Sequence, residues 1–474
     1  MARSPPSDPL IAIIGATGTG KSQLAVELAK RYNGEIVNGD AMQLYAGLPI
    51  ITNKITAEEQ QGIPHHLLGY IGLHEQTWVV GMFVWKALSI IEEIRSRGRL
   101  PILVGGTHYY TQSLLFRDRL PEENGEVPKT AFVKDTRQEW PMLQQATEVL
   151  LEELRRVDPI MADRWHPNDH RKIQRGLEIY LQTGRKASDI YAEQRQSLKE
   201  CDTPTDANGS PAFLDGPSMR FSTLLFWVHA ETDALRNRLD NRVDKMLEQG
   251  LLDEVKILNA FAESQLAKGE PVDETRGIWV SIGYKEFKAY AQALGRGGAN
   301  EHQLEKVKAE ALERTKISTR QYAKRQVRWI RIKLVNALFQ ANASHSLYLL
   351  DGSNVDSFEQ DVVAPALELT HHFLTASEPL PDPNSLSAIA EELLTPRRDY
   401  DLANAPEKWV RRHCELCGVT CGTEEQWGMH VKSKAHRKLM SKKNRAEEAP
   451  AKDVKHAKGG ADPATYDSPS RSEL

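Results

Sequence analysis

Leu10-Ile11-Ala12-Ile13-Ile14 is an unbroken apolar run near the start of the chain. It is apolar on both faces and too short for a helix, which predicts a buried strand of a parallel sheet. A glycine-rich turn at 15–20 follows, and beyond it Leu24 and Leu28, with alanines nearby, recur at helical spacing. Strand, glycine turn and helix in this order open an α/β nucleotide-binding fold. Further strands are predicted at 35–37, 100–104, 221–228 and 347–350, and a helix at 82–97 that stops at Gly98. From 121 to 198 the strand signal vanishes, and 142–157 and 171–182 read as amphipathic helices, so this stretch is a helical insertion. Helices are also expected at 233–249, ending at Gly250, and at 302–334.

The domain organisation follows: a first part of the core at 9–120, the insertion at 121–200, and a second part of the core at 219–375. A Pro-marked linker at 376–408, a small module at 409–440 and a polar, disordered tail at 441–474 complete it. Residues 201–218, rich in Pro, Gly, Asp, Thr and Ser, read as a disordered loop. There is no internal repeat.

At 474 residues the chain exceeds one ordinary core. Apolar residues make up 40% and charged residues 27%, as in a soluble globular protein. The formal net charge of −4 provides no global field for nucleic acid, so any basic site must be local. Of the four cysteines, Cys414, Cys417 and Cys421 cluster while Cys201 stands apart, a metal-site spacing and not a disulfide framework. No run approaches the roughly 18 apolar residues of a membrane span. The N-terminus lacks a signal-peptide core and carries Asp8, which disfavours a transit peptide. The cytoplasm is the default compartment, with nucleus and mitochondrion left open, and a monomer that needs no membrane is the expected form.

Gly15-Ala16-Thr17-Gly18-Thr19-Gly20-Lys21-Ser22 meets every fixed position of G-x-x-x-x-G-K-[ST] between a strand and a helix. The glycines let successive N–H groups converge, Lys21 supplies a point charge, and Ser22 offers a magnesium ligand. The helix N-terminus adds its dipole. The pattern specifies a phosphate-bearing ligand without saying which. In a hydrolysing P-loop enzyme a strand such as 100–104 ends in a magnesium-holding Asp. Here it runs into Gly105-Gly106-Thr107-His108-Tyr109-Tyr110 with no acid. That loop suits close approach of a ligand, with Thr107 as a hydrogen-bonding group, or is simply a tight turn. After the strand at 35–37 comes Asn38-Gly39-Asp40-Ala41-Met42-Gln43-Leu44-Tyr45, at the strand end where open α/β sheets bind ligands. Asp40 suits a general base and Gln43 a contact to an adenine edge; the plainer reading is that Asp40 caps a helix.

GATGTGKS, GDAMQLY, IITNKITAEEQQGIPHHLL, PILVGGTHYY, HPNDHRKIQRGLEIY, SIGYKEF and RTKISTRQYAKRQVRWI occur in this order. Together they resemble the tRNA dimethylallyltransferase (isopentenyltransferase) family over residues 10–350, and with the C-terminal module its eukaryotic branch. The resemblance implies a P-loop NTPase-like parallel sheet core whose phosphate loop, chiefly 17–22, holds the diphosphate of dimethylallyl diphosphate with magnesium. It implies that Asp40 deprotonates the adenine amine, that Gln43, with Ala41 and Met42, helps hold the flipped base, and that Thr107 lies beside the transfer site. Arg242 would pair with the diphosphate from the far side. Contacts to the tRNA anticodon stem-loop would come from Gln174, Arg175, Gly176, Leu177 and Glu178, from Gln194, and from Lys324 and Arg325. Members often carry Ser where this chain has Gly39 and Ala41, which removes two hydroxyls near the proposed base. The implied reaction moves a dimethylallyl group to N6 of the adenosine 3′ to the anticodon. Two alternatives are an isopentenyltransferase acting on free adenylate and a P-loop kinase of a small metabolite.

Residues 314–333 hold eight Lys or Arg and no acid. On a helix Arg320, Lys324, Arg328 and Arg331 share a stripe, with Val327, Ile330 and Leu334 on an apolar side, an arrangement that fits a phosphate backbone or a plain solvated face. Arg238, Arg242 and Lys245 share a side of the 233–249 helix, and the insertion adds Arg171, Lys172, Arg185 and Lys186. Cys414-x2-Cys417-x12-His430-x5-His436 has the spacing of a two-Cys, two-His zinc finger, whose metal supplies its folding energy. Cys421 is surplus and reads as a free thiol or a competing ligand. Seven Lys or Arg lie within 432–445, again without an acid, which suits RNA or a nuclear-import signal.

Overall fold

The computed structural model describes residues 4–117, 140–193, 218–296, 300–396 and 410–453. They form two compact units, one drawn from Met1–Asp135 and Ile190–Tyr400, the other from Thr136–Asp189 and Asp401–Leu474.

The first unit is built on a six-stranded sheet with β1 (Pro9–Gly15), β2 (Gly34–Asn38), β3 (His65–His66), β4 (Leu100–Val104), β5 (Ser222–His229) and β6 (Leu347–Asp351) in the order β3-β2-β4-β1-β5-β6. Every pairing is parallel, with β1 central between β4 and β5. The apolar run of β1 serves both faces: Leu10, Ala12 and Ile14 enter one core and Ile11 and Ile13 the other. That is why its sequence does not alternate. The helix Val80–Ser96 covers the first face through Phe83, Ala87, Ile91 and Ile94, and α1 (Lys21–Arg31) covers the second through Leu24 and Leu28. The loops after β1, β2 and β4 thus emerge at one carboxyl edge of the sheet.

Behind β5 the chain makes helices Thr232–Glu248, Leu251–Ala267 and Tyr284–Arg296, then the long basic helix Glu301–Trp329, which continues as a π-helical turn over Ile330–Leu334. The expected linker needs correction over its described part, 376–396. The helix Ala388–Leu394 buries Ala390, Leu393 and Leu394 in the core, and the Tyr348 hydroxyl donates to the Pro381 carbonyl at 2.8 Å. Its prolines punctuate a packed return of the chain.

In the second unit, helices Thr147–Val157 and His170–Thr183 pack through Leu150, Leu154, Ile173 and Leu177, all at most 1% exposed. Gly176 permits this approach, since a Cβ there would lie 3.2 Å from Leu154. The unit also holds the hairpin of β7 (Arg412–Cys414) and β8 (Val419–Cys421), with helices Glu424–Val431 and Lys434–Asp453. The last of these carries helix into the segment expected as a tail. Among the described residues no helix is long and apolar enough to cross a membrane. Gln194, the 201–217 loop and residues 454–474 lie outside the described residues.

Candidate active site

The phosphate loop joins β1 to α1. Gly15, Gly18 and Gly20 all have left-handed φ values, 150°, 82° and 92°, and Gly20 is the N-cap of α1. A Cβ at Gly15 would strike the Val228 carbonyl oxygen at 2.4 Å, and one at Gly20 the Phe358 ring at 2.5 Å. Glycine is therefore required here for conformation and for space. Thr19 and Lys21 both donate to the Ala16 carbonyl, at 3.0 and 2.6 Å, which folds the loop around its own centre.

The loops after β2 and β4 meet backbone to backbone. Gly39 N–H donates to the Val104 carbonyl at 2.7 Å, and a Cβ on Gly105 would lie 2.3 Å from the Gly39 carbonyl carbon. This contact places Ala41 N–H 3.0 Å from the Thr107 hydroxyl oxygen, which accepts it. Asn38 shapes the turn by accepting from Asp40 N–H and donating to the Asp40 and Leu67 carbonyls, each at 2.9–3.0 Å. Asp40 Oδ1 accepts from Met42 N–H at 2.9 Å. The plain capping role weighed from the sequence is therefore present in part, as an Asx-type turn. Burial nonetheless raises the Asp40 pKa against the lowering influence of Met42, Lys21, Gln43 and Arg242.

Two cations face this carboxylate. Burial lowers the Lys21 pKa to about 8 and that of Arg242 to about 10, with Asp40 opposing in both cases. Arg242, on Thr232–Glu248, donates to the Thr17 hydroxyl at 3.0 Å and also to Asn53 Oδ1. Asn53 has φ 51°, and its carbonyl accepts from Gln43 Nε2 at 2.9 Å, so one turn braces both Arg242 and Gln43. Glu254 steadies that turn by accepting from Ile50 and Ile51 N–H at 2.9 and 2.7 Å. Two desolvated cations against one carboxylate leave excess positive charge, which is the electrostatics of an anion site.

The structure thus brings Thr17, Lys21, Asp40, Gln43, Thr107 and Arg242 together. Sequence reasoning missed Asn53, Tyr322 and Gln326. Burial, and then Asp40, raise the Tyr322 pKa, against the lowering influence of Thr107, Arg325 and Gln326 beside it. Gln326 sits among Ala323, Val327 and Ile330 on the buried side of the basic helix. An uncharged polar residue inside an apolar stripe was the available signal. His108 is 4% exposed, and neither ring nitrogen has a partner among the described residues. Burial beside Lys21 holds its pKa near 3, so the imidazole is neutral at physiological pH.

The basic stripe divides. Arg320 is committed to Asp240 at 2.6 Å and Arg331 lies 4.0 Å from Glu392, whereas Lys324, Arg325 and Arg328 are exposed. Lys324 and Arg328, with Arg236, line a cavity of about 980 Å³ floored by Leu235, Leu239, Ala323 and Val327. Arg238 donates to the Gly352 and Ser353 carbonyls and serves the fold. In the second unit Gly176, Leu177 and Glu178 are buried, Glu178 pairing with Arg175 at 3.3 Å, and Gln174 donates to the Leu143 carbonyl. Of the five positions expected to meet tRNA, Gln174 and Arg175 have half-buried side chains, while Gly176, Leu177 and Glu178 also serve the packing of this unit.

Cys414, Cys417, His430 and His436 place their ligand atoms within 4.8 Å of one another. His430 Nε2 is buried without a hydrogen-bond partner among the described residues, as befits an atom reserved for metal. Cys421 is buried at the end of β8, outside this set. Substituting Cys414 with Ser is expected to abolish zinc binding and unfold the finger, read by metal analysis and proteolysis. The phosphate loop and Asp40 belong to the other unit, so their arrangement should survive the substitution, since the metal's binding energy folds only its own module.

Residues 43–333 match the IPP transferase family, 9–75 match isopentenyl transferase, and 412–436 match a zinc finger of C2H2 type. The chain is 37% identical to a tRNA dimethylallyltransferase of Schizosaccharomyces pombe, over 93% of this chain and 96% of that protein. It is 34% identical to one of Homo sapiens, over 92% and 87%. A crystal structure of a eukaryotic dimethylallyltransferase acting on tRNA matches with a TM-score of 0.71 at 31% identity, covering 94% of this chain and 100% of that one.

Proposed function

The chain belongs to the tRNA dimethylallyltransferase family, and from this we infer that it transfers a dimethylallyl group from dimethylallyl diphosphate to N6 of the adenosine 3′ to the anticodon, releasing diphosphate. The observation that carries the reading is the pairing, in one site, of a phosphate loop flanked by Lys21 and Arg242 with a carboxylate of raised pKa.

An exocyclic adenine amine is a weak nucleophile because its lone pair is delocalised into the ring. Displacement therefore needs a leaving group whose charge is neutralised and a base for the departing proton. The N6 lone pair forms the new bond to the allylic carbon as the carbon–oxygen bond to diphosphate breaks. The electron pair stays on the diphosphate, between Lys21 and Arg242 and over the phosphate-loop N–H groups. The N6 proton passes to Asp40. Thr107 and Gln43 orient the extruded base, whose removal from the stack costs a few kcal/mol and least when it is already unpaired. Lys324, Arg325 and Arg328, with Gln174 and Arg175, contact the RNA.

Magnesium fits beside Ser22, whose half-buried hydroxyl opens α1 without a hydrogen bond to other described residues. When bound, it adds charge neutralisation at the diphosphate. The acting unit is a single chain, since all three loops come from one unit.

The test supplies labelled dimethylallyl diphosphate with either tRNA or AMP. Label in the anticodon-loop adenosine is expected, and label in AMP alone overturns the assignment. The pH profile of kcat/KM should have an acidic limb above the ordinary carboxylate value of about 3.9, because Asp40 must be ionised to accept a proton. An alkaline limb is expected near pH 8, where free-enzyme Lys21 loses its proton and diphosphate affinity falls. The Lys21→Arg variant should lose that limb.

A further inference from the structure

Gln326 lies 4% exposed on the buried side of Glu301–Trp329 and joins two site loops that are distant in sequence. Its Oε1 accepts from Thr17 N–H at 2.9 Å, and its Nε2 donates to the Gly106 carbonyl at 2.9 Å. A backbone N–H on one side and a carbonyl on the other fix the orientation of the amide. Glycine at 106 makes the bridge possible: a Cβ there would lie 2.5 Å from Gln326 Nε2 and 3.2 Å from Asp40 Oδ2. Tyr322, one turn earlier on the same helix, lies beside Asp40, Thr107 and Gln326.

We propose that Gln326 is a positioning residue that sets the distance between the diphosphate cradle and the acceptor-side pair of Asp40 and Thr107. This rests on the transfer reaction inferred above. Thr17 stands on the donor side: its hydroxyl takes a hydrogen bond from Arg242 while its N–H is held by Gln326. Thr107 stands on the acceptor side, where it accepts from Ala41 N–H next to Asp40. One amide therefore spans the gap across which the allylic carbon must meet N6. Reacting atoms have to approach to about 3–3.5 Å, and a misplacement of about 1 Å costs on the order of 10²-fold in rate. Loss of the bridge should therefore appear in the chemical step and leave ground-state binding of either substrate largely intact.

Two variants test this in single-turnover reactions saturated with both dimethylallyl diphosphate and tRNA. Gln326→Leu removes both hydrogen bonds and should lower the rate by about 10²-fold, with both dissociation constants changed less than about threefold. Gln326→Glu keeps the acceptor for Thr17 N–H, but its ionised form sets a second oxygen against the Gly106 carbonyl. Burial raises the pKa of such a carboxyl, and its protonated form donates as the amide does. The rate of this variant relative to wild type should therefore recover severalfold as pH falls from 8 to 6, a dependence that simple loss of stability does not produce. If Gln326→Leu does not fold, Gln326→Glu carries the test alone. Saturated turnover of a folded variant within about threefold of wild type at pH 8, or a Gln326→Glu deficit independent of pH, overturns the proposal. Wild type failing to label tRNA refutes the functional reading and this proposal with it. Active wild type matched by the variants refutes this proposal alone.

Discussion

Asp40→Asn should lower the single-turnover rate of dimethylallyl transfer by about 10³-fold, within the range associated with a general base, and leave tRNA affinity within about threefold. The carboxamide can still accept through Oδ1 from Met42 N–H, and Asn38 and Thr107 hold the rest of the turn through its backbone. The loop therefore keeps its shape while the proton acceptor is lost. The charge change makes a further demand. Asp40 is the carboxylate that opposes the lowered pKa values of Lys21 and Arg242. Its neutralisation removes a competing anion but also the support for the Lys21 charge, so the two effects offset, affinity for dimethylallyl diphosphate should stay within a few fold, and the alkaline limb should move below pH 8. Turnover is read with labelled donor and tRNA binding by filter retention. Parallel losses in rate and tRNA affinity would make Asp40 a structural residue.

Arg242→Gln should lower kcat/KM for dimethylallyl diphosphate by about 10²–10³-fold, the scale of losing a preorganised donor to developing charge. Arg242→Lys should recover only part of this. An ammonium group cannot reach the Thr17 hydroxyl and Asn53 Oδ1 in the fixed geometry of the guanidinium fork. Burial already disfavours the Arg242 charge, as its lowered pKa of about 10 records. The neutral variant should therefore melt no lower than wild type by more than a few degrees, about 1 kcal/mol, once that cost is relieved. Steady-state rates as a function of donor concentration decide the matter. An unchanged kcat/KM removes Arg242 from the diphosphate site.

The α/β order, the phosphate loop and the zinc-finger spacing were legible because each is written in neighbouring residues. β1 declares itself by being apolar on both faces. The glycines at 15, 18 and 20 declare a turn that no other residue fits. The finger declares itself by four ligands at fixed intervals. The basic stripe was legible as a stripe, but not in its division. Arg320 meets Asp240 from another helix, and Arg331 meets Glu392 from a segment read as linker, which leaves Lys324, Arg325 and Arg328 for an outside partner.

What this sequence settled alone was local: which residues make strand, cradle and ligand set, since backbone geometry and hydrophobic period act over a few positions. Tertiary structure decided how distant groups meet in the site, including Arg242, which the family resemblance already implied, and Gln326, which sequence reasoning did not single out. Arg242 reaches Thr17 across 225 positions, and Gln326 reaches it across 309. Glu254 fixes the turn at Ile50 and Ile51 from more than 200 positions away. Such pairs carry no spacing rule, because they meet only where helices pack back over the carboxyl edge of the sheet. The partner of a buried polar group is set by that packing and not by its neighbours in the chain.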